Sequence, residues 1–315
     1  MTFAGAQNPV LSDDGTKVAF GVPLSDKASS DKVGIWVMDL GDLPIGFSKD
    51  PRRATNADPT GLSWAWSPDS RGLLVRGSNQ SYYLLEVGSE TPLTSLTPLT
   101  SPTLAKTLSG WAEESDKKYK DKFNEIPKKL QEILTSNRVR SKRVAFSPDK
   151  KKFLFTASSD FEIPSDLTSP LPGSSTQKEE RLVKKGNTYV YDLKEDKNFL
   201  VYSGSLPETK SFLEEASAAA STKSQAPSNK QTLNTKYQIL NTSVHWFPTS
   251  NHLILAEANK VTIVDYDGTN PQLVWNGPYE APYAIPSPNT SRLLILTNLG
   301  AGEEVVGNLY ALSLK

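Results

Sequence analysis

Short apolar runs alternate with polar turns along this chain, and one version of the pattern recurs five times. Its clearest copy is Val144-Ala145-Phe146, then Ser147-Pro148-Asp149, then a second apolar run that begins at Phe153. Proline presets φ for the second position of a type I turn, and Ser or Asp satisfies turn backbone groups locally. Residues 144–156 are therefore predicted to form a strand, a tight turn and a second strand.

Four other stretches repeat this unit with the same spacing. In each copy, the first apolar residue of the second strand follows the turn proline by five positions, with Asp13 replacing the proline in one copy. The other turns are Ser12-Asp13, Ser67-Pro68-Asp69, Phe247-Pro248 and Ser287-Pro288. A third apolar run follows each unit, at Ile35–Leu40, Tyr82–Val87, Thr188–Leu193, Val261–Tyr266 and Asn308–Leu314.

Three or four antiparallel strands repeated about every 40 residues are typical of propeller blades. Pro248 and Pro288 have this spacing, and the longer steps between the other turns predict insertions. A β-sandwich of short strands is the alternative, but it does not account for the shared five-residue spacing. The prediction is an all-β chain with one β-propeller domain over 1–315. It has five blades of three to four strands and a helical insertion.

The two ends of the chain suggest how such a ring closes. The last predicted blade finishes on its third strand at Leu314, and Thr2-Phe3-Ala4 precedes the first blade. Pairing of these N-terminal residues as the missing outer strand would remove two free sheet edges. A fragment of a larger ring is the alternative.

Three insertions are predicted between the blades. Residues 104–135 carry apolar side chains at three- and four-residue steps, which indicates helix, and Pro127 divides it into two helices or kinks it. The apolar stripe is expected to pack on the flank of the propeller, with a partner-binding groove as the alternative. Residues 158–186 are expected to form an extended loop, and 205–236 a mobile loop or a frayed helix.

Composition excludes several classes of function. Lys+Arg and Asp+Glu are both 35, so the charge does not favour a nucleic-acid partner. The chain has no cysteine, which excludes disulfides, thiolate metal sites and cysteine nucleophiles. No apolar run reaches the length of a membrane span, and the first residues do not resemble a signal peptide. The chain is expected to be soluble as given.

Catalytic motifs are missing from the sequence. There is no Gly-x-Ser-x-Gly elbow, no phosphate-binding loop and no His-Glu-x-x-His, and the only histidines are His245 and His252. Asp265-Tyr266-Asp267-Gly268 resembles the start of a calcium loop, but the later acidic ligand is missing, and a hairpin turn is the simpler interpretation. We therefore expect no catalytic residue, no cofactor and no metal.

One set of equivalent positions could form a binding surface. The residues five places before each turn proline, or before Asp13, are Asn8, Ser63, Arg143, Ser243 and Tyr283. The first strand of a propeller blade is innermost, so these residues are predicted to line the central channel as a binding ring. The alternative is a channel that is simply wet and polar.

The Ser-Pro-Asp turns resemble those of WD40-like propellers of the TolB and dipeptidyl-peptidase type. Two groups of residues resemble the propeller region of bacterial PEGA-domain proteins more narrowly, with the strongest similarity over 138–315. The first group is Gly173–Arg181 with Tyr189–Phe199, and the second is Trp246–Leu253 with Asp265–Asn270 and Asn308-Leu309-Tyr310.

That resemblance implies a location and a type of function. Such proteins typically have a membrane anchor, a small PEGA domain and then a propeller outside the cytoplasm, and the family offers no catalytic residues to transfer. The printed sequence holds neither the anchor nor a Pro-Glu-Gly-Ala motif. We expect a non-catalytic scaffold that binds protein or glycan at a bacterial cell surface. The alternative is a lactonase-like enzyme, or the substrate-gating propeller of a peptidase whose catalytic domain is absent.

Overall fold

Strands dominate the structure, a computed structural model that describes residues 5–25, 30–41, 50–136, 138–139, 144–168, 177–204, 212–221, 244–299 and 307–314. Contacts divide the chain into two compact units. Unit 1 comprises Met1–Glu114, Lys210–Leu233 and Gly277–Lys315, and unit 2 comprises Ser115–Thr209 and Asn234–Asn276. The mostly-β class predicted from the sequence is confirmed.

The strands form five separate antiparallel sheets, each of three or four strands. The first sheet holds β1 (Gln7–Leu11), β2 (Lys17–Val22), β3 (Gly34–Asp39) and β4 (Arg52–Thr55), and the second holds β5 (Ser63–Trp66), β6 (Gly72–Arg76) and β7 (Tyr82–Glu86). The third holds β8 (Ala145–Phe146) and β9 (Lys152–Thr156). A two-stranded pair, β10 (Phe161–Glu162) and β11 (Leu182–Val183), intervenes before its last strands, β12 (Thr188–Asp192) and β13 (Lys197–Tyr202).

The two remaining sheets follow in chain order. The fourth holds β14 (Val244–Trp246), β15 (His252–Glu257), β16 (Lys260–Asp265) and β17 (Gln272–Asn276), and the fifth holds β18 (Ala284–Pro286), β19 (Arg292–Thr297) and β20 (Asn308–Ser313). The first, second and fifth sheets belong to unit 1, and the third and fourth to unit 2. Within every sheet, neighbouring strands are also consecutive members of that sheet along the chain. This up-and-down order is the one expected for blades.

Each sheet begins on one of the five repeated units, and the register is the same in all of them. The last residue of the first strand lies opposite the residue seven positions later: Leu11 and Val18, Trp66 and Leu73, Phe146 and Phe153, Trp246 and Leu253, and Pro286 and Leu293. The predicted strand–turn–strand units are therefore confirmed. The closed five-bladed ring stays a prediction.

The fourth position of every turn has a positive φ. The residues there are Gly15, Ser70, Lys150, Ser250 and Thr290, with φ of 73°, 59°, 64°, 63° and 61°. A side chain in this left-handed region costs about 1 kcal/mol, which Gly15 alone avoids. The chain accepts this cost in four of the five turns, each of which connects two antiparallel strands.

Tryptophan side chains connect neighbouring sheets within each unit. Trp66 Nε1 donates to the backbone oxygen of Val10 at 2.9 Å in unit 1, and Trp246 Nε1 donates to that of Ala145 at 2.8 Å in unit 2. Each tryptophan stands one residue before the turn of its own sheet. Each acceptor, Val10 or Ala145, stands two residues before the turn of the neighbouring sheet. The same bond therefore connects the first sheet to the second and the third to the fourth. Phe146, at the equivalent position in the third sheet, has no such donor.

The turns of neighbouring sheets are also bonded to each other. The backbone N–H of Asp14 donates to Ser70 Oγ at 3.3 Å, and that of Asp149 donates to Ser250 Oγ at 2.9 Å. Ser70 and Ser250 are both buried and occupy the left-handed turn position. Serine at this position thus offsets its backbone strain with a bond to the preceding sheet.

The predicted helical insertion forms two helices, α1 (Ser101–Phe123) and α2 (Lys128–Thr135). They are separated at Pro127, as expected, and Ile126, Leu130 and Leu134 pack into the core of the third sheet. In the same unit, Tyr119 Oη accepts the backbone N–H of Val144. These contacts favour the packing interpretation of the stripe over a partner-binding groove.

Both predicted loops contain regular structure. The stretch 158–186 includes the β10–β11 pair, and 205–236 includes a third helix, α3 (Phe212–Ser221). Leu213, Ala216 and Ala220 of α3 are buried along one face. Low hydrophobicity therefore did not prevent this segment from packing, because small side chains let a short helix approach a neighbouring surface closely.

The expected closing strand, Thr2-Phe3-Ala4, lies outside the described residues. The two residues that follow it lie beside the start of β20. Gly5 N donates to Asn308 Oδ1 at 3.1 Å, and Ala6 N donates to the backbone oxygen of Gly307 at 2.7 Å. The N-terminal segment thus connects the fifth sheet to the first within unit 1.

Replacing the two tryptophans that bond between sheets with phenylalanine should lower stability while an aromatic side chain stays at each position. Trp66→Phe and Trp246→Phe each leave a carbonyl without its donor, which costs about 1 kcal/mol in the free energy of unfolding. Guanidinium denaturation of each variant measures the effect. Trp36→Phe is the control, because its indole bond to the backbone of Lys32 is exposed and joins no second sheet. An equal loss in the control would contradict the proposed role of the two bonds.

Candidate functional site

The hydroxyls of the turn serines make hydrogen bonds within their own turns. Their hydroxyls donate to the carboxylate or amide two residues later, at 2.6 Å from Ser12, 2.5 Å from Ser67, 2.7 Å from Ser147 and 2.8 Å from Ser287. Each hydroxyl also accepts the backbone N–H five residues later, at 2.9–3.1 Å. These bonds support the interpretation of Ser-Pro-Asp as turn chemistry.

The turn carboxylates are held in their charged form by these contacts. The hydroxyl of Ser67 is the main cause that lowers the pKa of Asp69, against a smaller opposing effect of burial. For Asp14, burial raises the pKa most, but the bonds from Ser12 and Thr16 outweigh it and the pKa lies below its usual value. For Asp149, burial again raises the pKa most, but the bonds from Ser147 and Lys151 and the charges of Lys152 and Lys151 outweigh it, and the pKa is lowered.

Two of the five predicted ring residues, Arg143 and Ser243, lie outside the described residues. The other three belong to unit 1. Asn8 is exposed in β1 with a φ of 48°, at an irregularity in the pairing with β2. Tyr283 packs against the core shared by the first and fifth sheets, and burial raises its pKa. Ser63 starts β5 and is partly buried. The ring as a whole stays a prediction.

Ser63 is part of a polar cluster that the sequence did not reveal. Arg76 Nε donates to Ser63 Oγ at 3.1 Å, and Arg76 Nη1 lies 2.7 Å from Glu215 Oε2 on α3. The guanidinium also lies over the ring of Phe212, 5.7 Å from its centroid. Tyr82 also contacts Phe212, with 6.2 Å between ring centroids. Arg76 thus binds a hydroxyl, a carboxylate and an aromatic face at once.

This arrangement is suited to binding rather than to bond cleavage. Arginine combines a fork of N–H donors for a carboxylate with a flat face that stacks on an aromatic ring. Burial raises the pKa of Tyr82 while Arg76 lowers it, so the raised pKa keeps this hydroxyl protonated near neutral pH. Ser63 accepts a hydrogen bond from a cation here, and no described histidine is among its hydrogen-bond partners.

A concave surface in unit 1 lies between the first and fifth sheets. It is a cleft of about 320 Å³. Its apolar lining is Ala6, Phe20, Met38, Leu40, Leu294, Leu309 and Ala311, and its polar lining is Asp39, Ser287, Asn289, Ser291 and Arg292. Asp39 is paired with Arg52 at 2.7 Å, so its charge is already balanced.

The histidine and the carboxylates that the sequence offered for catalysis or metal binding are in contact with neighbouring residues. His252 Nδ1 lies 2.7 Å from Thr249 Oγ1, and Nε2 lies 3.4 Å from Asp265 Oδ1. Asp267 Oδ1 accepts the N–H and hydroxyl of Thr269, within the connection between β16 and β17, and this confirms the hairpin interpretation. Among the described residues, no group of three or more acidic or histidine side chains could hold a metal.

Comparisons with known proteins provide only a loose structural likeness. No family model and no curated protein matches the chain. A solved structure of a putative TolB from Agrobacterium tumefaciens is similar at 9% identity and a TM-score of 0.30, covering 98% of this chain and 77% of that one. TolB from Acinetobacter baumannii gives 13% identity and 0.29, with 98% and 51% covered.

A peptidase structure has a similar score. The acylaminoacyl peptidase of Pyrococcus horikoshii is 12% identical, with a TM-score of 0.27, and covers 99% of this chain and 39% of that one. This chain therefore spans about half or less of the length of two of these structures. TM-scores below 0.5 do not establish a shared fold, so the architecture rests on the strand pairing described above. No helix within the described ranges is long and apolar enough to cross a membrane.

Acid should destabilise the protein partly through the turn carboxylates. A folded-state pKa below the unfolded value of about 3.9 contributes stability above that pH, and this contribution is lost as the pH falls through the folded pKa. The triple variant Asp14→Asn, Asp69→Asn, Asp149→Asn keeps a side-chain oxygen acceptor, as Asn289 does in the fifth turn. It should therefore lose less stability than the parent between about pH 5 and about pH 2.5, a range that brackets the unfolded value.

Urea denaturation across that pH range measures the difference. Glu86→Gln is the control, because this glutamate is exposed at the end of β7. If the triple variant and the parent lose stability in parallel, the turn carboxylates do not supply the expected share.

Proposed function

We propose that this chain is a non-catalytic interaction scaffold, with its five sheets as the blades of a five-bladed, TolB-like β-propeller. Its partner is a protein, with a cell-envelope glycan as the other candidate. The function is carried by Arg76, which is already bound to a carboxylate and an aromatic ring beside the predicted ring residue Ser63. A surface built on an arginine with these neighbours has the composition that protein interfaces favour.

The proposed ring is supported by contacts that repeat between sheets. The indole and turn bonds connect the first sheet to the second, and the third to the fourth, in the same way. The bonds of Gly5 and Ala6 to β20 connect the fifth sheet to the first. We propose that Thr2-Phe3-Ala4 continues this pairing as the outer strand of the last blade, which would close the ring.

The proposed location is the bacterial cell surface, outside the cytoplasm and close to the membrane. The support is the resemblance of residues 138–315 to the propeller region of PEGA-domain proteins. The scaffold function is favoured over a lactonase, because the described turn serines and carboxylates already serve the turns. A peptidase-gating propeller needs no catalytic residue of its own and stays the alternative.

A photo-crosslinker at Asn8 should capture the partner if the ring is a binding surface. Asn8 is exposed and belongs to the predicted ring, so a cross-linking side chain there faces a bound partner. The chain carrying it is incubated with envelope proteins and, separately, with biotin-labelled peptidoglycan fragments. Illumination should give one dominant adduct, identified by mass spectrometry. The same side chain at Leu182, an exposed residue of unit 2 outside the ring, is the matched control.

Two outcomes would count against the scaffold. Equal adducts at Asn8 and Leu182 would mean that the ring has no specific partner. A rise of several degrees in Tm with calcium or zinc, together with hydrolysis of a lactone or peptide substrate, would instead identify an enzyme.

A further inference from the structure

The contacts of α3 define a seat for a helix on the second sheet. Within unit 1, α3 lies against β5, and the seat consists of Ser63, Arg76 and Tyr82. Phe212 contacts both Arg76 and Tyr82, and Glu215 one turn later pairs with Arg76. Residues three apart share a helix face, so this aromatic residue and this carboxylate reach the seat together.

The attachment of α3 to this seat is weak. A helix of 10 residues is shorter than the length at which isolated helices become stable in water. Its buried face has one large side chain, Leu213, beside Ala216 and Ala220, and the two alanines contribute little apolar area. The Arg76–Glu215 pair has side chains that are 26% and 44% exposed, and surface pairs of this kind add little net stability. The strength of this contact therefore depends on α3 being part of the same chain.

We propose that the seat is a docking surface for an amphipathic helix of a partner protein, and that α3 occupies it as a built-in competitor. The partner helix would present an aromatic side chain to Arg76 and Tyr82 and, one turn later, a carboxylate to Arg76. This inference rests on the proposed scaffold function and identifies the chemistry of its partner. α3 shows that chemistry directly, because its Phe212 and Glu215 stand where the partner's residues would bind.

The tether sets how strongly α3 competes. Linked binding modules have effective concentrations that reach the order of 1 mM. If the free helix binds the seat with a Kd between about 0.1 and 1 mM, the tether lowers the apparent affinity for a partner by about two- to tenfold. Deleting α3 should raise that affinity by the same factor.

A synthetic peptide tests whether the seat accepts a helix from outside. The peptide carries the sequence of 212–221, followed by two EAAAK repeats that favour helix, with neutral ends and a fluorescent label. Anisotropy is measured with the full chain and with a variant in which 212–221 is replaced by a Gly/Ser linker of equal length. The peptide should bind the replacement variant at least twofold more tightly than the full chain. Arg76→Ala in the replacement background should abolish binding.

Two controls separate a specific seat from a sticky surface and from a misfolded variant. A second peptide with Phe212→Ala and Glu215→Gln should not bind. In the intact chain, the same double substitution should open the seat and give peptide binding like that of the replacement variant, without deleting any residue. Near-UV circular dichroism confirms that both proteins remain folded.

The proposal is overturned if folded variants do not bind the peptide, or if the full chain binds it as tightly as they do. Binding that survives Arg76→Ala would overturn it as well. Cross-linking at Asn8 uses the full chain and reports on the scaffold function separately. A chain that captures a partner there but shows no peptide binding keeps the proposed function and loses this inference.

Discussion

The tight turn between the first two strands is the constraint on which every sheet depends. Its serine hydroxyl bonds to the carboxylate or amide two residues later and accepts the N–H five residues later, which fixes where the second strand begins. Side chains alternate between the two faces of a strand, so a shift of one residue would turn the apolar set of Leu73 and Phe153 away from the core. The identical register of the five sheets follows from this local chemistry. The fourth turn lacks the serine but has the same register, because Phe247 keeps the backbone bonds to His252 and Ser250.

The same turns also connect the sheets within each unit. The left-handed fourth position costs energy for any residue with a side chain, but at Ser70 and Ser250 that side chain accepts an N–H from the preceding turn. Each of these two serines thus belongs to the turn of its own sheet and bonds to a neighbouring sheet. The indoles of Trp66 and Trp246 make a second hydrogen bond between neighbouring sheets, from the residue just before the turn. Groups that look reactive in the sequence are therefore used to build the turns and to connect the sheets.

The cluster around Arg76 shows how residues far apart in the sequence form one polar cluster. Ser63 was identified as a polar residue at a repeated position, and the structure places it next to the guanidinium. Arg76, Phe212 and Glu215 gave no signal of their own, because Arg76 looks like an ordinary strand end and α3 lies in a segment of low hydrophobicity. Glu215 is 139 residues from Arg76 along the chain, and no local pattern links residues so far apart.

The sequence by itself determined the elements whose causes are local. Turn residues and five-residue spacing predicted all five strand pairs, and the three- and four-residue steps with Pro127 predicted α1 and α2. Tertiary structure decided everything that depends on distant partners: the seating of α3 on β5, the indole bonds between sheets, and the use of Tyr283 for packing. A strand or a turn is specified by neighbours a few residues away. A binding surface is specified by which segments meet, and that depends on packing of the chain as a whole.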